Sequence, residues 1–243
     1  MSISESSFGT RLEKAKQLQA HLTTYTGYKP PTPAESAEKF GLFLLSIDKQ
    51  NADTAVKAHA YSAAVEDRQN KFYKGDNSLK KVVLGINRTV RACFGRDSKE
   101  AADMQTMVNK IQGSKAKKST KTPADPPSES TPPPPADKQK TVSRSERSYG
   151  NRTKVFGDIA ATVQHYGPQY KPANDNMSLV AMQGWFNLLT AANNNVALAY
   201  GALKQERFNR SALYKRLTQT LHRIKDAVNG QYGPDSLEYT LIK

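Results

Sequence analysis

A chain of 243 residues with a formal charge of +14 and 37% apolar residues has room for two ordinary domains, whose cores must come from amphipathic segments. One cysteine, Cys93, excludes an intramolecular disulfide framework and points to a reducing compartment. A pI near 9.7 and a mean hydropathy of −0.69 point to polyanions, such as nucleic acid, anionic membrane or acidic protein, as what the chain would attract.

The opening MSISESSFGTRLEKAK has no apolar core of a secretory signal. The longest apolar stretch, around Phe40 to Ile47, falls far short of the ~20 residues a spanning helix needs, so no transmembrane segment and a cytoplasmic location are expected.

In chain order, a helix is expected before Tyr28. Thr32-Pro33-Ala34-Glu35 reads as a capping box, with a threonine cap, proline at the first helical position and glutamate returning to the cap amide. A helix through Phe40, Phe43, Leu44 and Ile47 follows, then an alanine-rich helix from Ala52 to about Asn70. Leu79, Val83, Ile86, Val90 and Phe94 recur at steps of three and four and so share one helical face. Gly95 stands where a left-handed residue ends a helix, Asp97 and Glu100 are placed to cap a further turn, and that turn extends through Met104 and Ile111.

From Gln112 to Gly150 the chain reads KAKKSTK and then DPPSESTPPPP, with almost nothing apolar to bury. Such a segment cannot offset its ordering entropy and is expected to be a disordered Pro/Lys/Ser-rich linker. Beyond it the same elements return: a helix before Tyr170, another from about Asn193 to Arg210, and a stripe of Leu217, Leu221, Ile224, Val228 and Tyr232. Gly233 follows, with Asp235 and Glu238 as caps, and copy two stops at Leu241-Ile242-Lys243.

The recurrence reads as a duplication. Tyr28-Lys29-Pro30 returns as Tyr170-Lys171-Pro172, and Ala58-His59-Ala60-Tyr61-Ser62-Ala63 as Ala197-Leu198-Ala199-Tyr200-Gly201-Ala202. Glu66-Asp67-Arg68 aligns with Gln205-Glu206-Arg207, and the stretch from Phe94 to Glu100 with that from Tyr232 to Glu238. The expected fold is all-α: two tandem homologous antiparallel four-helix bundles, over residues 1–112 and 151–243, joined by the linker 113–150. Charge is spread across them, with 17 basic against 12 acidic residues in 1–112, 8 against 4 in 113–150, and 11 against 6 in 151–243.

These blocks resemble an uncharacterised family of helical-repeat proteins of the Bacteroidota, tandem four-helix units with an FG-x-x-S type turn after the last helix. The matching residues are Arg68, Tyr73 and Phe94-Gly95-Arg96-Asp97-Ser98, then Arg207, Tyr214 and Tyr232-Gly233-Pro234-Asp235-Ser236, with KIQG from Lys110 to Gly113 closing copy one. The resemblance spans nearly the whole chain outside the linker. It implies fold and source, and brings no catalytic residue.

No catalytic, cofactor-binding or metal motif stands out. His21, His59, His165 and His222 lack ligand spacing with one another, with Cys93 or with an acid. The glycines form no phosphate loop, and Glu66/Asp67 point apart on a helix. Cys93 has no dedicated base in view and reads as a structural thiol. The matched polar pairs Tyr61/Tyr200 and Arg68/Arg207 are equally well explained by a shared groove or by buried, satisfied side chains.

Lys80, Lys81, Arg88 and Arg91 lie away from their helix's apolar stripe, where they are placed to track a phosphate backbone, and Lys115, Lys117, Lys118 and Lys121, with Lys110, make a second cationic cluster. The expected function is that of a non-enzymatic binding or scaffold protein acting through a protein partner or self-association. The alternative is a basic, sequence-independent nucleic-acid-binding protein. No small-molecule substrate or cofactor is expected.

Overall fold

The structure, a computed structural model, describes residues 3–113 and 148–243. The described residues are all-α, with no strand among them. The helices are α1 (Ile3–Thr24), α2 (Ala37–Gln69), α3 (Leu79–Phe94), α4 (Lys99–Gln112), α5 (Tyr149–Tyr166), α6 (Leu179–Tyr232) and α7 (Leu237–Ile242). Lys115, Lys117, Lys118, Lys121 and most of the expected linker lie outside the described residues.

Helices expected to be separate are fused. α2 runs for 33 residues through both the Phe40–Ile47 and the alanine-rich segments, and α6 runs for 54. Between Leu42 and Lys74 there is neither glycine nor proline, so nothing breaks the helix near Asp48 where a turn was expected. α6 contains no proline, and its glycines at 184, 201 and 230 are isolated, which a long helix tolerates. The N-terminal half does break once: residues 73–78 separate Phe72 from Leu79, where the C-terminal half has only Lys215-Arg216 between Tyr214 and Leu217. There a π turn, Asn70–Lys74, closes with the Gly75 amide donating to the Asn70 carbonyl at 2.9 Å, and Ser78 opens α3.

The chain forms two compact units, residues 1–63 with 197–243 and residues 64–196. This differs from the expected sequential division into 1–112 and 151–243. Because α2 and α6 do not turn, each carries its chain out of the unit in which it starts. The apolar stripes are buried as the periodicity predicts, but each is covered by helices of the other half. In the first unit Leu12, Leu18 and Leu22 of α1 and Phe40, Leu44 and Ile47 of α2 close on Leu217, Ile224 and Val228 of α6. In the second, Val83, Ile86 and Val90 of α3 and Met104, Val108 and Ile111 of α4 close on Phe156, Ile159 and Val163 of α5 and Met182 and Leu189 of α6. Each fully buried aliphatic side chain contributes roughly 1.5–3 kcal/mol.

Several contacts of one unit have counterparts in the other. Tyr25 donates to the Glu238 carbonyl at 2.6 Å and sits on Tyr232, with ring centroids 6.0 Å apart. Tyr166 donates to the Glu100 carbonyl at 3.2 Å and sits on Phe94 at 4.9 Å. Phe8 meets Tyr214 at 4.5 Å under Arg210, as Tyr149 meets Phe72 at 4.9 Å under Arg68.

The approach to each long helix is built alike. Tyr28 donates to the Glu35 carbonyl and Tyr170 to the Met177 carbonyl, and burial pushes both phenols up to about 12. Thr32 and Asn174 cap the 3-10 turns Pro33–Glu35 and Asp175–Met177 that precede α2 and α6. Only half of the expected capping box is seen: Thr32 caps the 3-10 turn by accepting from the Ala34 amide, but Glu35 accepts from the Thr32 hydroxyl and not from the cap amide, and α2 starts two residues after the turn. After α3 and α6, Gly95 and Gly233 take φ of +93° and +95°, a region that favours glycine. The helices that follow are capped by Ser98, which accepts from the Ala101 amide, and Ser236, which accepts from the Tyr239 amide, both at 3.1 Å, and not by the acidic residues expected there.

Candidate functional site

Tyr61 and Tyr200, matched in the sequence, touch each other in the first unit with ring centroids 5.7 Å apart. Arg68 stacks 3.9 Å above the Tyr149 ring in the second. Its counterpart in the first unit is Arg210, 4.7 Å above Phe8, and not Arg207 as expected. Alanine-rich segments match one another in several registers. The buried positions Phe40/Met182, Ile47/Leu189 and Phe72/Tyr214 keep one spacing through both long helices, which sets the register three residues away from the one the alanines suggest. Arg207 is exposed and lines, with His59, a pocket of about 380 Å³ beside Asn51 and Thr54.

The α3 cations do share one face, around exposed Leu84. Three of the four are engaged: Lys81 pairs with Asp76 at 3.1 Å, Arg91 donates to Gln105 Oε1 at 2.6 Å, and Lys80 lies 5.3 Å from the Tyr73 ring centroid. Exposed pairs of this kind are weak, so they lower the charge on offer without removing it. Cys93 is exposed, its Sγ 3.8 Å from the Lys171 carbonyl.

A groove that the sequence reading missed lies within the first unit, along α1, the last part of α6 and α7. Two adjoining hollows of about 370 and 530 Å³ share Arg11. Leu18, Leu221 and Ile242 form an apolar floor with half-exposed Leu241 beside it, and the rim is cationic, with Arg11, Lys14, Lys215 and Lys225 joined by His21. No acid lines either hollow. Arg11 is held by the Tyr214 carbonyl at 3.1 Å and the Thr218 hydroxyl, and Lys225 donates to the main-chain oxygen of Lys243 at 3.0 Å. The second unit has a different depression of about 470 Å³, between α5 and α6, with exposed Val180 and no charged side chain in its lining.

No family model, curated protein or solved structure matches this chain. Among the described residues, no three His, Cys, Asp or Glu side chains come together as a metal site, and no helix is long and apolar enough to cross a membrane.

Proposed function

We propose that this chain is a non-enzymatic helical binding or scaffold protein, a duplicated helical unit of the Bacteroidota type that works through protein contacts in the cytoplasm. The observation that carries the reading is the groove of the first unit, an apolar floor under a one-signed rim and wide enough for side chains of a partner. Exposed Leu42, Leu45 and Val56, on one face of α2, add apolar surface in the same unit. Affinity capture with the full chain, with and without nuclease, tests it. Protein partners should persist after digestion, and their disappearance would refute the reading.

Polyanion binding is the second reading, favoured by the single cationic face of α3. It predicts that affinity for nucleic acid falls as salt rises and after Lys115, Lys117 and Lys118 are changed to Ala. Binding that is flat across both changes eliminates it.

A further inference from the structure

We infer that the first unit carries a binding site for a small organic phosphate, in the hollow of about 380 Å³ that His59 of α2 and Arg207 of α6 border. The inference goes beyond the binding-protein reading, because it assigns a small molecule to a different hollow. Gly9, Ala55 and Ala58 leave the space open, since none has a side chain beyond Cβ. Its volume lies at the lower end of the roughly 300–1,000 Å³ that small-ligand pockets occupy.

Comparison of the two units divides the lining into two sets. Asn51 and Arg210 belong to the shared plan, matched by Asn193 and Arg68. Asn51 donates to the Tyr214 hydroxyl at 3.0 Å and Asn193 to the Thr153 hydroxyl at 3.1 Å, and each arginine lies over an aromatic ring. Thr54, His59 and Arg207 do not belong to it. At the spacing that pairs Phe40 with Met182 and Phe72 with Tyr214, their counterparts are Val196, Gly201 and Val65. The long helices therefore pack without a hydroxyl, imidazole or guanidinium at these positions, and the polar groups are additions to the scaffold.

A formal charge of +14 makes exposed cations common on this chain. What sets His59 and Arg207 apart is that they border one hollow from different helices and, among the described residues, have no hydrogen bond or ion pair. No carboxylate among the described residues lines the hollow, and Glu206, next to Arg207 in sequence, is held by the Gln50 side-chain amide at 2.6 Å.

The donors select phosphate. A guanidinium offers parallel N–H groups that match two phosphate oxygens, and an imidazole on another helix can donate to a third. A carboxylate has only two oxygens, both of which the guanidinium takes. Phe8, Ala55 and Ala58 line the rest of the hollow, which suits a compact apolar body on the phosphate.

Ligand-observed NMR titrations of the full chain at fixed ionic strength, with phenyl phosphate, benzoate and inorganic phosphate, test the inference. Phenyl phosphate should bind saturably, and each of the other two at least about tenfold more weakly. Arg207→Ala and His59→Ala should each weaken phenyl phosphate by about tenfold or more. Ala55→Leu, which fills the hollow without altering charge, should do the same, whereas Arg88→Ala, which removes one positive charge on α3, should leave it unchanged. Circular dichroism should find all four variants as helical as the native chain, since each replaces an exposed helical residue with a strong helix former.

Absence of saturable phenyl phosphate binding overturns the inference. Equal weakening by Arg88→Ala and Arg207→Ala does so as well, by showing that net charge alone attracts the ligand. Full affinity in Ala55→Leu would place the ligand outside the hollow, with the same result. Benzoate or inorganic phosphate bound as tightly as phenyl phosphate overturns the assignment to an organic phosphate.

Discussion

Replacing Ile159 by Ala separates the exchanged pairing of helices from a sequential one. Ile159 is fully buried on α5, in one cluster with Ile86, Met104 and Val108 of the N-terminal half. Truncation to alanine removes three carbons from a site with no solvent to refill it, a loss of about 2–5 kcal/mol. At 1.4 kcal/mol per factor of ten, amides protected by this core should exchange about 30- to 4,000-fold faster. Hydrogen exchange read by mass spectrometry locates the effect. The structure predicts it in peptides covering 82–90 and 104–111, more than a hundred positions away in no case but all in the opposite half of the sequence, while 217–228 keeps its protection. Loss of protection in 217–228 with 82–111 unaffected would show that α5 packs on helices of its own half, and would refute the exchange.

Two further predictions follow from a pair of matched positions at which the units differ. In the first unit Glu35 meets Arg223; the same places in the second are Met177 and Gly85, and a Cβ on Gly85 would lie 2.7 Å from the Met177 methyl. Gly85→Ala should therefore be neutral or destabilising in the native chain yet stabilise a Met177→Ala background by about 0.5–1 kcal/mol, the helix-propensity gain; equal effects in both backgrounds, by chemical denaturation, would contradict the contact. Glu35 is held below the ordinary carboxylate range chiefly by the Thr32 hydroxyl and then by Arg223, against the opposing effect of burial. A depressed folded pKa gives stability that is present above the unfolded value and lost as pH falls through the folded one. Melting temperature should thus drop on acidification in the native chain and less so in Glu35→Gln, and Thr32→Ala should move the loss to higher pH. Arg223 is largely exposed, so Arg223→Ala should shift it less than Thr32→Ala.

The all-α class and the buried stripes were legible because they depend on spacing within a dozen residues: Leu79, Val83, Ile86 and Val90 face a core whichever helices close it. Which helices close it was not legible. The stripe of α3 and that of α6 are both made of leucine, isoleucine and valine, so α1 or α5 fits either, and side-chain chemistry does not choose between them. What chooses is the absence of a breaker from Leu42 to Lys74 and of proline from Leu179 to Tyr232. A reading that looks for helix starts and stops weighs the residues that interrupt, whereas here the topology turns on an interruption that is missing.

The same reasoning explains why the groove could be read only from coordinates. Lys14, His21, Lys215 and Lys225 are scattered over two distant segments and form no motif. They acquire meaning when Lys14 is seen to hold the place of Val155, and Lys225 that of Asn87, in a unit built to the same plan. Most differences between the units are replaced in kind, as Glu35 with Arg223 is replaced by Met177 against Gly85, so the interior stays filled on both sides.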